Sequence, residues 1–412
     1  MLYDPARHES LQPMAWDEGL ARRFIERIVR DTEAQYRPGR GWPLHPRDID
    51  PGEDPDPPAT DLYCGECGVV WALHYLQTIG AATLSRPWLG ENDLDSLLAR
   101  NRTCLDAMGD GHERASWLMG DTPILMLAFG QRPSADLADR LASLIGNNID
   151  HPARELMWGA PGSLLAALFL HQHTGDARWA ALFRAIAERL WSQLQWSAEH
   201  GCHHWVQDLY GRRSTYLDAV HGFVATASPL IRGRHLLKPE AWAAWQGCIH
   251  NTVTRTATWQ GSMCNWRPQL DAPATPAPKP LLMQFCHGAP GFVVCLSEMP
   301  GAELDDTLIA AGHATWAAGP LTKGSNLCHG TGGNGYAFLK LYGRTGDPLW
   351  LARARAFAMH GIAQTDAEAQ RHGRLRHSLW TGDPGFAIYL WDCVRGTAEF
   401  PTLDVFYGAA PR

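Results

Sequence analysis

The sequence predicts an all-helical fold in which buried inner helices are wrapped by amphipathic outer ones, the whole closing into a ring or solenoid. Three observations predict it. A glycine-containing turn, often Gly-x-x-Gly, repeatedly opens an apolar run of helical length. The runs so opened are apolar nearly all round, the mark of helices buried on every side. Segments with a single apolar stripe lie between them.

The turns follow one another along the chain. Gly65-Glu66-Cys67-Gly68 precedes VVWALHYL, and the degenerate Gly120-Asp121-Thr122-Pro123 precedes ILMLAFG. Gly159-Ala160-Pro161-Gly162 opens SLLAALFL. His221-Gly222 opens FVATASPLI, with Ala225 where a second glycine would stand. Gly288-Ala289-Pro290-Gly291 opens FVVCL, Gly330-Thr331-Gly332-Gly333 opens NGYAFLKLY, and Gly382-Asp383-Pro384-Gly385 opens FAIYLWDC. These make about seven units at the spacing of helical repeats. Between them, DARWAALFRAIAERLWSQLQ places Trp179, Leu182, Phe183, Ile186, Leu190 and Leu194 at three- and four-residue intervals, with Arg178, Arg184, Glu188 and Arg189 elsewhere. PLWLARARAFAMHGIAQ reads the same way. Strand signals are weak, and none pairs with a hairpin turn. Pro-rich irregular loops are expected near 38–60 and 268–280, and no domain boundary appears, so 1–412 reads as a single domain.

A helix beginning at a glycine turn presents free backbone N–H groups there. If all units point one way, those termini converge at one end of the ring and favour anions and thiolates.

Composition narrows the function. With 45% hydrophobic residues a large core is available, and 18 Trp suggest thick packing or a ring-lined cavity. Net charge is −7 with no basic block, which argues against nucleic acid as partner. The polar start MLYDPARHES has no apolar signal core and no window suits a membrane span, so a cytoplasmic location is expected. Ten Cys in such a protein read as buried thiols, ligands or nucleophiles rather than a disulfide framework.

Cys-His-Gly occurs twice, as Cys286-His287-Gly288 and Cys328-His329-Gly330, each time at the opening of an inner helix. In a ring the two would be neighbours at one level. Thiolate and imidazole suit zinc, and three of these four groups would leave one position open for chemistry. Alternatively they are two buried thiols and two histidines satisfied by backbone. Cys64-Gly65-Glu66-Cys67 lacks a second such pair to complete a structural zinc site and reads as structural, and Cys202-His203-His204 falls outside any glycine turn. Arg154 could hold a carboxylate or phosphate.

Phe285-Cys286-His287-Gly288-Ala289-Pro290-Gly291 resembles the W-C-H-G-x-P-G motif of the lanthionine synthetase C-like (LanC-like) family. The run from Leu327 to Leu339 resembles that family's C-H-G-x-x-G-N-x-Y-A-F-L motif. The resemblance implies an α/α toroid of seven inner and seven outer helices, with Zn2+ held by Cys286, Cys328 and His329 and with His287 as a neighbour. It implies addition of a thiol, glutathione or a peptide Cys, to dehydroalanine or dehydrobutyrine in a peptide or protein. The chain looks closer to the stand-alone glutathione-adding members, in which loss of phosphate from phosphorylated Ser or Thr precedes addition. By the same resemblance His221 is the candidate general acid and Glu155, where cyclases carry Asp, assists thiol deprotonation. Lys323, five residues before Cys328, is linked to glutathione and phosphate, and Thr381 stands where an acid is usual. A monomer is expected. The competing readings are a non-catalytic zinc- and glutathione-binding protein and an α/α-toroid glycosidase, which needs two carboxylates flanking a sugar cleft.

Overall fold

The computed structural model describes residues 1–49, 52, 54, 57–108, 114–271 and 279–408, with backbone only at 91 and 92. Parts of both expected Pro-rich loops, at 50, 51, 53, 55 and 56 and at 272–278, lie outside the described residues.

Outer and inner α-helices alternate. The outer set is α1 Glu18–Ala34, α3 Glu91–Met108, α5 Ala135–Asn147, α7 Ala177–Ser192, α9 Pro239–Thr256, α11 Asp305–Ala318 and α13 Pro348–His372. The inner set is α2 Glu66–Thr78, α4 Thr122–Gln131, α6 Ala160–Thr174, α8 Phe223–Arg232, α10 Ala289–Leu296, α12 Thr331–Thr345 and α14 Asp383–Arg395. Each inner helix touches the next, and α14 touches α2, so the ring closes into an α/α toroid. Outer α1 packs on α14, which joins the two ends of the chain.

Burial follows the sequence pattern. Inner α6 is buried continuously from Ala160 to Leu170. Outer α7 buries Trp179, Phe183, Ile186 and Leu190 and exposes Arg178, Glu188 and Arg189. Truncating such a core aromatic to Ala costs about 3–5 kcal/mol.

The helical pattern conceals three two-stranded antiparallel hairpins, contrary to the weak strand signal. They are β1 Gln195–Ser197 with β2 Cys202–His204, β3 Gln207–Leu209 with β4 Arg212–Ser214, and β5 Ala257–Gln260 with β6 Met263–Trp266. Strands of three or four residues are too short to show a period of two. The β3–β4 turn uses Tyr210 and Gly211, both at positive φ, where Asn-Gly would have announced it.

Five of the seven glycine turns share one backbone plan. The residue two before the glycine donates its N–H to a carbonyl of the next turn. Tyr63 donates to Leu118, Leu118 to Met157, Cys286 to Cys328, Cys328 to Trp380, and Trp380 back to Tyr63. Between the third and fourth turns Leu156 donates to Val220. Among the described residues only the step from the fourth turn to the fifth lacks this bond, and a side-chain pair bridges it instead.

Contrary to the expectation of free N–H groups at the glycine turns, these helix N-termini are closed. In the first, fourth and sixth turns the chain entering the turn folds back, and its carbonyls take the first amides. Glu66, Cys67 and Gly68 N–H donate to Ala59, Thr60 and Asp61; Phe223, Val224 and Ala225 to Tyr216, Leu217 and Asp218; Thr331, Gly332 and Gly333 to Gly324, Ser325 and Asn326. The glycines are needed because this fold-back is tight. A Cβ at Gly222 would lie 2.1 Å from Asp218 N, and Gly288 also has φ +121. The second glycine of a turn admits a neighbour, as at Gly291, where a Cβ would lie 2.5 Å from that of Ala219 in the preceding turn.

Candidate metal centre

The plan puts the side chains one and two residues before each glycine at the same end of the ring. At the fifth and sixth turns these are Cys286, His287, Cys328 and His329, and one ligand atom each of Cys286, Cys328 and His329 lies within 4.8 Å of the others. Both cysteines are buried. Each sulfur receives a hydrogen bond from a neutral donor: Tyr63 O–H to Cys328 Sγ at 3.0 Å, and Gln284 Nε2 to Cys286 Sγ at 2.9 Å. The hydrogen bond from Cys286 places the negative charge on Cys328, well below the ordinary thiol range, against the opposing effect of burial; His329 and Tyr63 add to it. Cys286 is raised correspondingly, by that same bond and then by burial. Two sulfurs served by donors and one imidazole form a soft set that fits zinc, with fewer than four protein ligands.

Two histidine–carboxylate pairs stand beside this set. His221 Nδ1 lies 2.9 Å from Glu155 Oε2, and His287 Nδ1 lies 2.7 Å from Asp218 Oδ2. The second pair bridges the step that lacks a backbone bond. The imidazole centroids are 6.3 Å apart, with Tyr216 5.6 Å from His221 and 6.3 Å from His287. Both carboxylates are inaccessible and capped by their own turns. Glu155 accepts from Met157 and Trp158 N–H, and Asp218 from Val220 and His221 N–H. Burial opposes the charged form of His221. The hydrogen bond and charge of Glu155, then Asp218 and the Cys328 sulfur, outweigh it and raise the pKa to about 9.

Lys323 stands apart from these pairs. It lines a small cleft with Arg47, Asn326, Arg374 and Arg376, about 30 Å³ in volume, alongside the sixth turn. Within it Arg47 pairs with Glu368 and Arg376 with Asp48. Arg154 Nη1 donates to Val206 O at 2.8 Å, tying the segment before β3 to the third turn. Cys64 and Cys67 are free thiols of the first turn and of α2. Cys202, His203 and His204 form β2, and among the described residues they join no cluster of metal-ligand type. Thr381 meets Ser378 Oγ at 2.8 Å.

Sequence reading missed Asp218, Gln284, Tyr63 and Asn326, the last of which accepts from His329 N–H at 3.0 Å. A signal existed. The residue four before each turn glycine is polar in all seven turns: Asp61, Ser116, Glu155, Asp218, Gln284, Asn326 and Ser378.

A family model described as "Lanthionine synthetase C-like protein" matches residues 131–405. The chain belongs to that family. Among LanC-like relatives, "Glutathione S-transferase LANCL1" of Danio rerio is 35% identical over 147 residues, 32% of this chain and 34% of the relative. "LanC-like protein GCL1" of Arabidopsis thaliana is 29% identical over 266 residues, 61% of this chain and 58% of the relative. The chain thus spans about a third and somewhat over half of these two. The solved structure of "Nisin cyclase" superposes with a TM-score of 0.58 at 15% identity, covering 91% of this chain and 94% of that one. That likeness concerns the LanC-like fold alone, an α/α toroid. No helix among the described residues is long and apolar enough to cross a membrane.

Proposed function

We propose that this chain is a zinc-dependent enzyme that adds a thiol, glutathione or a peptide Cys, to dehydroalanine or dehydrobutyrine in a peptide or protein, forming a thioether. The observation that carries the reading is the cluster of Cys286, Cys328 and His329 within 4.8 Å, beside the half-buried His221 paired to the buried Glu155. The name of the zebrafish relative points the same way. Zinc held by these three would supply a fourth position at which an incoming thiol sits as thiolate.

The chain's own groups then handle the protons. Attack of the thiolate on the alkene β-carbon forms the C–S bond and moves the π pair into an enolate. The enolate requires a proton at its α-carbon. His221 is tied through Nδ1 to Glu155, which leaves Nε2–H as the proton to give, and its raised pKa keeps the ring charged near neutrality. The proton given up by the thiol balances the one delivered. Glu155 is wholly buried and acts through His221. Lys323, with Arg374 in the same cleft, suits an anion such as a glutathione carboxylate or a phosphate lost from a phosphorylated acceptor. Arg154 is assigned a supporting part in substrate binding. We assign the whole activity to one domain, 1–412, acting as a cytoplasmic monomer with no nucleic-acid partner.

The test is metal quantification with a glutathione-addition assay on a dehydroalanine peptide. About one zinc per chain is expected in the wild type, with severe loss of metal and turnover in Cys286→Ala and Cys328→Ala. Unchanged zinc in both variants would overturn the ligand assignment. Binding without turnover would leave a non-catalytic glutathione-binding protein.

A further inference from the structure

Comparing the seven turns position by position isolates one residue that the proposed chemistry has not used. Two residues before the glycine stand Tyr63, Leu118, Met157, Val220, Cys286, Cys328 and Trp380. Four are apolar or thioether side chains or an indole, and two are the sulfurs of the metal cluster. The remaining one, Tyr63, is the single hydroxyl at this level. It belongs to the first turn yet serves the sixth. Trp380 of the intervening seventh turn lies beside it, ring centroids 5.8 Å apart, and the phenol crosses to Cys328 Sγ at 3.0 Å. Its backbone is fixed in the ring of turn-to-turn bonds, accepting from Trp380 N–H and donating to Leu118 O. The phenol is therefore held in place and aimed at sulfur.

The fifth turn carries an independent counterpart. At the position four before the glycine, Asp61, Ser116, Glu155, Asp218 and Asn326 all accept from amides of their own turn. Gln284 departs from this pattern: its side-chain amide donates to Cys286 Sγ at 2.9 Å. A repeated capping position has been turned over to a sulfur. Each of the two sulfurs thus has its own neutral donor, from different turns and in different chemical forms.

We propose that Tyr63, with Gln284 as its counterpart, is a positioning residue that withdraws charge from the cluster sulfurs by hydrogen bonding, so that an incoming thiolate is the most electron-rich sulfur at the centre. This rests on the metal reading above. The physical basis is that a hydrogen bond to a thiolate lowers the energy of its lone pair and its basicity, and that such outer partners orient the ligand. Without the donors, Cys286 and Cys328 would compete with the incoming thiol for nucleophilic character.

The experiment uses the full chain loaded with cobalt(II) in place of zinc, as wild type, Tyr63→Phe and Gln284→Leu. Phenylalanine keeps the ring and removes only the hydroxyl, so Tyr63→Phe isolates the donor, and its melting temperature is recorded as a control. The expected result is one cobalt per chain in wild type and in Tyr63→Phe. The sulfur-to-cobalt charge-transfer band should move to longer wavelength in the variant, because the sulfur lone pair rises in energy when its hydrogen bond is removed. Gln284→Leu should move the band in the same direction. A role confined to packing would leave the band in place. An unshifted band in Tyr63→Phe, with cobalt bound as in wild type, overturns this proposal and leaves the metal reading standing. No cobalt uptake by wild type overturns both.

Discussion

The second and sixth turns are built alike and do different things. In each, the residue four before the glycine caps the turn: Ser116 Oγ accepts from Met119 N–H at 3.0 Å, and Asn326 Oδ1 accepts from His329 N–H at 3.0 Å. In each, the residue two before the glycine donates its N–H to the next turn's carbonyl, Leu118 to Met157 and Cys328 to Trp380. The second turn presents Leu118 and Met119 on this scaffold and is a packing joint. The sixth presents Cys328 and His329 and carries two of the three members of a metal cluster. The backbone sets where side chains at these two positions converge, and two residue choices per turn decide whether that point holds chemistry or core.

The comparison breaks most sharply by truncating the same position in both turns. Leu118→Ala should lower unfolding stability by about 2–5 kcal/mol while leaving metal content at the wild-type level. Cys328→Ala should abolish metal binding and turnover, with a smaller change in stability of the metal-free chain. Parallel denaturant melts and metal analysis read both. Metal loss in Leu118→Ala would show that the two turns are not independent.

His221→Asn comes next. It should lower turnover about 10²–10⁴-fold with metal retained, because it removes a proton donor and no ligand. Equal activity would remove His221 from the reaction.

The pH dependence gives the third effect. His221 has its folded pKa raised from 6.5 to about 9. The pairing therefore stabilises the fold fully below about pH 6.5, and this contribution fades as pH rises through about 9. Turnover that needs the imidazolium should decline over the same alkaline range. Glu155→Gln removes the charge that holds the proton. It should move the His221 titration, followed by NMR, and the alkaline limb of the rate to lower pH. The stability gap between wild type and variant should be widest near pH 6 and narrow above pH 9.

The smallest expected effect returns to the caps. Ser116→Ala should cost about 1 kcal/mol and leave metal affinity unchanged. Asn326→Ala should cost a similar amount of stability and also weaken metal binding, since Asn326 orients the backbone of His329. Equal metal affinity in both would mean that the cap does not steer the ligand.

Much of this was legible in the sequence because it is local or periodic. The inner helices announce themselves by apolar runs such as SLLAALFL, since a helix buried on all sides needs no polar face. The outer helix at Trp179–Leu190 shows its stripe for the converse reason. Cys286, Cys328 and His329 stand out because Cys-His-Gly repeats at equivalent points of two units. The hairpin of β3 and β4 escaped because three-residue strands carry no period and Tyr210-Gly211 is an uncommon turn pair. The helix amides escaped because a helix start does not show which carbonyl fills it: Gly324, Ser325 and Asn326 do so through the fold-back of the chain.

By itself the sequence determined the number and order of the repeats, which helices are buried, and which side chains stand at equivalent places, because each of these depends on residues within a few positions of one another. Only the tertiary structure decided that the phenol of Tyr63 ends beside Cys328, 265 residues away, and that Asp218 takes His287 across the one step without a backbone bond. Those pairings arise when seven separate turns are drawn to one end of a closed ring, and closure is a property of the whole ring of packed helices that no single repeat contains.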